Sequence, residues 1–187
     1  MSEENNEELA AQTVKKNKPK RSLLSDIIQI ACILIVLFVI FNYVLMSVKV
    51  NGTSMLPTYR DGDRGIMYRY MGFNKPKCND VVVINYDWDY EQEYIVKRII
   101  GVPGDKIEIR NNQVYINDKP YDDSHRMPDS VMENMPPKVL REAEYFVLGD
   151  NRDVSKDSRY IGVININKIL AVSGFVYWPL NDIKLMH

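Results

Sequence analysis

From Ile27 to Val48 the chain reads IIQIACILIVLFVIFNYVLMSV, a run without a single charge. Its polar members are Gln29, Asn42 and Ser47. About 20 helical residues, rising roughly 1.5 Å each, cross the hydrocarbon core of a bilayer. The run therefore predicts one transmembrane helix over 27–48. A cleaved leader has a shorter apolar core and a small-residue cleavage site, whereas here the run is long and Lys49-Val50 follows. A buried helix of a soluble protein rarely stays uncharged over this length. The helix divides the chain into a tail, 1–26, and a segment, 49–187, of roughly 140 residues, enough for one domain of ordinary size.

The tail carries Glu3, Glu4, Glu7 and Glu8, then Lys15, Lys16, Lys18, Lys20 and Arg21. So polar a stretch buries too little surface to fold and is expected to be disordered. Its basic cluster flanks the span, so the positive-inside rule predicts a cytoplasmic N-terminus and an extracytoplasmic 49–187, a single-pass protein of the cell membrane. The net charge of −1 and the lack of a basic domain leave no electrostatic footprint for nucleic acid. Cys32 lies in the span and Cys78 beyond it, so no disulfide framework is expected. His125 and His187 are the only histidines, and no metal-ligand spacing occurs.

Beyond the span, short β-branched or aromatic runs recur: Val81–Ile84, Tyr94–Ile100, Lys106–Arg110, Val114–Ile116, Tyr145–Leu148 and Ile169–Trp178. Asn111-Asn112 reads as a hairpin turn, because asparagine tolerates positive φ. Gly101-Val102-Pro103-Gly104-Asp105 reads as a tight turn. The stretch 118–138, with Pro120, Pro128, Pro136 and Pro137, reads as an irregular surface insertion. No helical apolar period of useful length follows Val50. The fold class predicted is all-β, a compact barrel or sandwich.

Three segments carry candidate chemistry. Ser54 sits in Gly52-Thr53-Ser54-Met55-Leu56-Pro57-Thr58, a bend from which a serine can project. Lys97 sits in Tyr94-Ile95-Val96-Lys97-Arg98-Ile99-Ile100-Gly101. On a strand, Ile95, Lys97 and Ile99 share one face. A serine becomes a nucleophile only when a base takes its proton, and a lysine becomes that base only when burial keeps it neutral. Read alone, Ser54 is an ordinary turn residue and Lys97 an edge lysine that extends its amine to water. The third segment, Gly149-Asp150-Asn151-Arg152-Asp153-Val154-Ser155-Lys156-Asp157-Ser158-Arg159, is dense in charge directly after a strand. It reads either as a solvated loop or as a braced one, with Asp157 and Arg159 holding it and the Ser155 hydroxyl orienting an amine.

Taken in order, Ser54-Met55-Leu56-Pro57-Thr58, Asp80-Val81-Val82-Val83, Val96-Lys97-Arg98-Ile99-Ile100-Gly101-Val102-Pro103-Gly104-Asp105, and Gly149-Asp150-Asn151-Arg152 through Arg159 resemble the type I signal peptidases of bacteria. The likeness runs from the anchor almost to the C-terminus. It implies a catalytic domain of strongly bent antiparallel sheets, with Ser54 as nucleophile, Lys97 as general base, Ser155 orienting the amine, and Asp157 and Arg159 supporting the site. It implies no cofactor. It also implies that signal peptides of secretory preproteins are cut after small residues at Ala-X-Ala sites, beside membrane lipid, with the substrate extended near Lys49–Gly52 and Tyr94–Val96. Some members carry a serine two positions before the nucleophile, whose hydroxyl helps bind the oxyanion. Here that position is Gly52, leaving the oxyanion to backbone N–H groups. The large second domain of some relatives is reduced to something like the 118–138 insertion.

Three rivals compete. A self-cleaving repressor protease also uses a Ser-Lys pair, but an anchor rather than a DNA-binding segment precedes this one. A non-catalytic, membrane-tethered β-domain that binds exported peptides would make Ser54 and Lys97 structural. A Ser-His-Asp triad would use His125, which lies in the insertion. Oligomeric state leaves no trace in the sequence.

Overall fold

The computed structural model describes residues 23–73, 75–88 and 91–186. The expectations for residues 1–22 lie outside the described residues. Helix α1 spans Leu23–Val39 and continues as a π-helical turn over Ile40–Val44. The expected span of 27–48 is thus shifted toward the N-terminus, and Leu23–Val44 forms one apolar helical stretch. Asp26 falls in the first turn, where a negative charge complements the helix dipole. At the other end, Leu45–Val48 belongs to a strand. Apolar composition suits both a spanning helix and a buried strand, so it cannot mark this boundary.

All strand pairings are antiparallel. The larger sheet contains β1 (Leu45–Lys49), β2 (Arg64–Arg69), β3 (Val81–Trp88), β4 (Glu91–Gly101), β9 (Glu144–Leu148), β10 (Ile164–Asn165), β11 (Ile169–Trp178) and β12 (Lys184–Met186). Its order is β1-β2-β11-β3-β4-β9-β10, with β12 beside β11. The smaller sheet runs β7-β6-β5-β8, from β5 (Lys106–Arg110), β6 (Gln113–Ile116), β7 (Lys119–Pro120) and β8 (Met135–Val139). The all-β expectation holds, in two sheets.

Register breaks bend the large sheet. The pairing of β11 with β2 shifts between Val172 and Gly174. Gly174 is needed there, because a Cβ would come within 2.1 Å of the Ile66 carbonyl oxygen. Three apolar clusters fill the space around the sheets. The first gathers Val48, Val50, Met55, Tyr59, Met67, Val81, Val83 and Val176 among others. The second, on the smaller sheet, includes Ile100, Ile107, Val114, Met132 and Phe146. The third includes Val82, Ile84, Ile99, Tyr145 and Val147.

The 118–138 stretch departs from the expected irregular surface insertion. Met135–Val139 is strand β8, paired with β5 at the sheet edge. Pro136 and Pro137 are tolerated because an edge strand leaves some N–H positions unused. Ser130 and Met132 are buried, and Met132 belongs to the second cluster.

Candidate active site

The Ser54 segment is the connection between β1 and β2. Its turn is held from below by Met55 and Tyr59, both buried in the first cluster, and by the Tyr59 N–H donating to the Met55 carbonyl at 2.9 Å. Gly52 takes φ +85°, in the left-handed region that favours glycine. Its N–H donates to Asp61 Oδ1 at 2.7 Å. Nothing lies within 4 Å of the position a Cβ would take there. Ser54 is half-buried at the head of this turn.

Lys97 comes from β4, only 4% exposed. Ile95 and Ile99 pack into the third cluster, while Val96 packs against the first. The amine ends at Ser54, with Lys97 Nζ 2.9 Å from Ser54 Oγ and 3.0 Å from the Val96 carbonyl oxygen. Burial lowers the pKa of this amine, and the charges of Asp157, Glu93 and Asp150 oppose the shift only in part. No carboxylate hydrogen-bonds it among the described residues.

Asp157 and Arg159 form an ion pair. The Asp157 carboxylate is fully buried. It accepts from the Gly149 N–H at 3.0 Å and from Arg159 Nε and Nη2 at 2.8 and 2.9 Å. It also caps the short helix α2 (Ser158–Ile161). Arg159 Nη2 donates to the Arg152 and Ser155 carbonyls at 2.7 and 3.3 Å, so one guanidinium closes the loop. Ser155 is buried, but its hydroxyl makes no hydrogen bond, to Lys97 or to any other described residue. The expected orienting bond is therefore not formed in this state. Gly149 permits the close approach of Ser155 to the Ser54 turn: a Cβ there would come within 2.2 Å of Ser155 Oγ and 2.5 Å of the Ser54 carbonyl oxygen.

Four further residues support the site without having been assigned a role from sequence. Arg98, next to the lysine, pairs with Asp150 through Nε at 2.9 Å and Nη2 at 2.8 Å, both side chains about 1% exposed. Thr58, four residues beyond Ser54, donates to the same carboxylate. The Asn151 N–H donates to the Ser54 carbonyl at 3.0 Å, and its side-chain amide to that of Thr53 at 3.2 Å. The loop after β9 is thus tied to the nucleophile turn by both ions and amides. The 118–138 stretch grips that loop from outside. Arg152 pairs with Asp123, the Met127 N–H donates to the Asp150 carbonyl at 2.8 Å, and the Val131 N–H donates to Asp153 Oδ1 at 2.8 Å. A signal existed in the charge density of 149–159, but nothing local in the sequence says which acid meets which base. His125 lies in the turn of this stretch; the group that hydrogen-bonds Ser54 Oγ is the Lys97 amine.

A cleft of about 520 Å³ opens beside the dyad, bordered by Ser54 and Lys97, by Val48 and Val50 from the β1 side, and by Tyr94 and Val96 of β4. β1 is the outermost strand of its sheet. β4 pairs with β9 only from Arg98 onward, so no described strand covers that side of β4 before Arg98. Both rims therefore offer free strand edges. Among the described residues, no cluster of His, Cys, Asp and Glu is arranged to hold a metal ion.

A serine hydroxyl thus lies against a buried amine on an antiparallel β scaffold that follows one apolar helix in the chain. Residues 23–178 match the family model described as signal peptidase, peptidase S26, and the chain belongs to that family. Signal peptidase IB of Staphylococcus aureus is 34% identical over 182 residues, covering 88% of this chain and 94% of the relative. Signal peptidase I of Bacillus licheniformis is 34% identical over 186 residues, covering 92% and 98%. A crystal structure of a signal peptidase I from Enterococcus faecalis aligns with a TM-score of 0.44 and 26% identity, over 53% of this chain and 97% of that one. The chain is thus a serine endopeptidase, and the reading as a non-catalytic tether falls away. The apolar helix fits a membrane anchor.

Proposed function

We propose that this protein removes signal peptides from exported preproteins, with Ser54 as nucleophile and Lys97 as general base. The observation that carries the assignment is the 2.9 Å contact between Lys97 Nζ and Ser54 Oγ at a lysine only 4% exposed. An ordinary lysine, with a pKa of about 10.4, is charged at neutral pH and cannot accept a proton. Desolvation disfavours that charge, and general-base catalysis works best when the pKa approaches the operating pH.

The substrate lies extended in the cleft, adding its backbone to the free edge of β4 or β1. Small side chains before the scissile bond fit shallow apolar walls there, which accounts for Ala-X-Ala sites. Neutral Lys97 takes the Ser54 proton as Oγ attacks the carbonyl carbon. The tetrahedral oxyanion rests on backbone N–H groups, including that of Ser54, because Gly52 supplies no hydroxyl. Lys97, now an ammonium, protonates the leaving amine and frees the mature N-terminus. Water then attacks the ester, Lys97 takes its proton, and Ser54 is restored. No step needs a metal or cofactor. The N-terminus lies in the cytoplasm and the β unit outside, where preproteins emerge, because Lys15–Arg21 flank the span.

The test uses full-length protein in detergent with a reporter peptide carrying an Ala-X-Ala site. Ser54→Ala and Lys97→Ala each lose cleavage by on the order of 10⁴-fold or more, and the double variant is no worse, because the two groups act as a unit. Cleavage by a folded Ser54→Ala variant at the parent rate would remove the nucleophile assignment.

A further inference from the structure

A second cavity lies apart from the cleft beside Ser54 and Lys97. It holds about 970 Å³ and lies at the end of β2 and the start of β3. Its walls join two chemistries. Phe73, Tyr68 and Met71 line it and are 85%, 57% and 50% exposed. Beside them stand three exposed cations, Arg69, Lys75 and Lys77. None of the three forms an ion pair with a described residue. Asp80 also borders the cavity, but its carboxylate is occupied by the Lys77 N–H at 2.7 Å and the Ser173 hydroxyl at 3.2 Å.

Val44 says what such a mixture meets. It is the last residue of the apolar helical stretch 23–44, and it lines this same cavity. The next residue, Leu45, pairs with Tyr68, and its carbonyl accepts from Arg69 Nε at 3.0 Å. The cavity therefore opens where the chain leaves the apolar span. A ligand there has to be amphiphilic to use the aromatic wall and anionic to use the cations. A soluble anion has no use for the first, and a zwitterionic lipid brings its own ammonium against the second.

We propose that this cavity is a binding site for an anionic phospholipid of the phosphatidylglycerol kind. Its phosphate sits among Arg69, Lys75 and Lys77, and its glycerol and upper acyl carbons lie along Tyr68, Met71 and Phe73. Guanidinium presents a fork suited to phosphate oxygens, while the lysines act as point charges. The site is separate from the dyad, and none of its residues takes part in the chemistry.

The test is native mass spectrometry of the full-length chain in neutral detergent, titrated with phosphatidylglycerol, phosphatidylcholine or inorganic phosphate. Phosphatidylglycerol is expected to stay bound at least roughly tenfold more tightly than phosphatidylcholine, and phosphate alone is expected not to saturate the site. Lys75→Gln with Lys77→Gln, both exposed, should weaken phosphatidylglycerol retention roughly tenfold or more, since each cation near an anionic lipid surface contributes about one factor of five. Phe73→Ser should weaken both lipids. Ser54→Ala should bind lipid as the parent does, and the lysine variant should cleave a short soluble reporter at the parent rate, which also shows that it is folded. Equal retention of the two lipids, unchanged retention in the lysine variant, or saturation by phosphate alone would overturn the proposal.

Discussion

Lys97 and Arg98 are neighbours on one strand, both buried, yet they are treated in opposite ways. Arg98 meets a carboxylate in two hydrogen bonds. Burial alone would pull its pKa down, but the hydrogen bonds and charge of Asp150 outweigh it and hold the guanidinium above its ordinary value. Lys97 meets a hydroxyl and a carbonyl, and desolvation wins. The lesson concerns placement of acids. The charges of Asp150 and Asp157 reach Lys97 through space, but each carboxylate is tied up by an arginine, Arg98 in one case and Arg159 in the other. Each arginine engages its acid, and neither carboxylate hydrogen-bonds the lysine.

The largest effect should come from breaking the paired side. Arg98→Met leaves Asp150 buried without its cation, which costs about 3–5 kcal/mol. For a unit of this size that lowers Tm by on the order of 10 °C. Arg98→Met combined with Asp150→Leu should recover most of the loss, because the unpaired charge goes with it. A double variant no more stable than the single one would mean that Asp150 is held chiefly by Thr58 and the loop.

Next comes the contact that closes the base side. Gly149→Ala drives a methyl into Ser155 Oγ and the Ser54 carbonyl oxygen. The nucleophile turn must shift, and displacement near 1 Å lowers kcat by roughly 10²-fold, with KM changed less. Steady-state kinetics on the reporter peptide separates the two constants. An unchanged kcat would show that the turn and the loop do not need to touch.

A smaller effect appears in stability against pH. In the unfolded chain Lys97 titrates near its ordinary value of about 10.4, and in the folded protein lower. Between those two values the unfolded state holds more protons, so folding stability gains from Lys97 as pH rises; below the folded value the buried ammonium destabilises. Lys97→Met should therefore be more stable than the parent near neutral pH, with the gap narrowing toward pH 10. Denaturant midpoints at several pH values measure it. A constant gap would place the ammonium in a solvated setting.

Much of this comparison was legible before the fold. The alternation of Ile95, Lys97 and Ile99 marked a lysine among aliphatic neighbours, because period two is local information. The pairing of Arg98 with Asp150 was not legible, since 52 residues separate them and only the β4–β9 register brings them together. Strand β2 leaves little mark in the sequence, because Arg64-Gly65-Ile66-Met67-Tyr68-Arg69 mixes charge and glycine into a weak pattern. Strand β8 was hidden by two prolines that an edge position excuses. Ser155 shows the reverse case: its hydroxyl was expected at the lysine amine and instead stands without a partner.

The smallest effect belongs to Gly52. Serine there meets no neighbour, but its φ of +85° strains any side chain by about 1 kcal/mol. Gly52→Ser should lower Tm by a few degrees at most, and any gain in kcat would show the new hydroxyl reaching the oxyanion. An unchanged Tm would show that the turn absorbs the side chain.

The most direct test of the central claim, that Lys97 works because it can be neutral, is the cleavage rate of Lys97→Arg in protein shown to be folded. Guanidinium keeps its proton in proteins and cannot accept one from serine. The expected result is loss of Ala-X-Ala reporter cleavage as complete as in Ser54→Ala, while the parent's activity rises with pH through the lowered lysine pKa. Near-parent cleavage by the arginine variant would mean the position needs only a positive charge, and the dyad would be wrong.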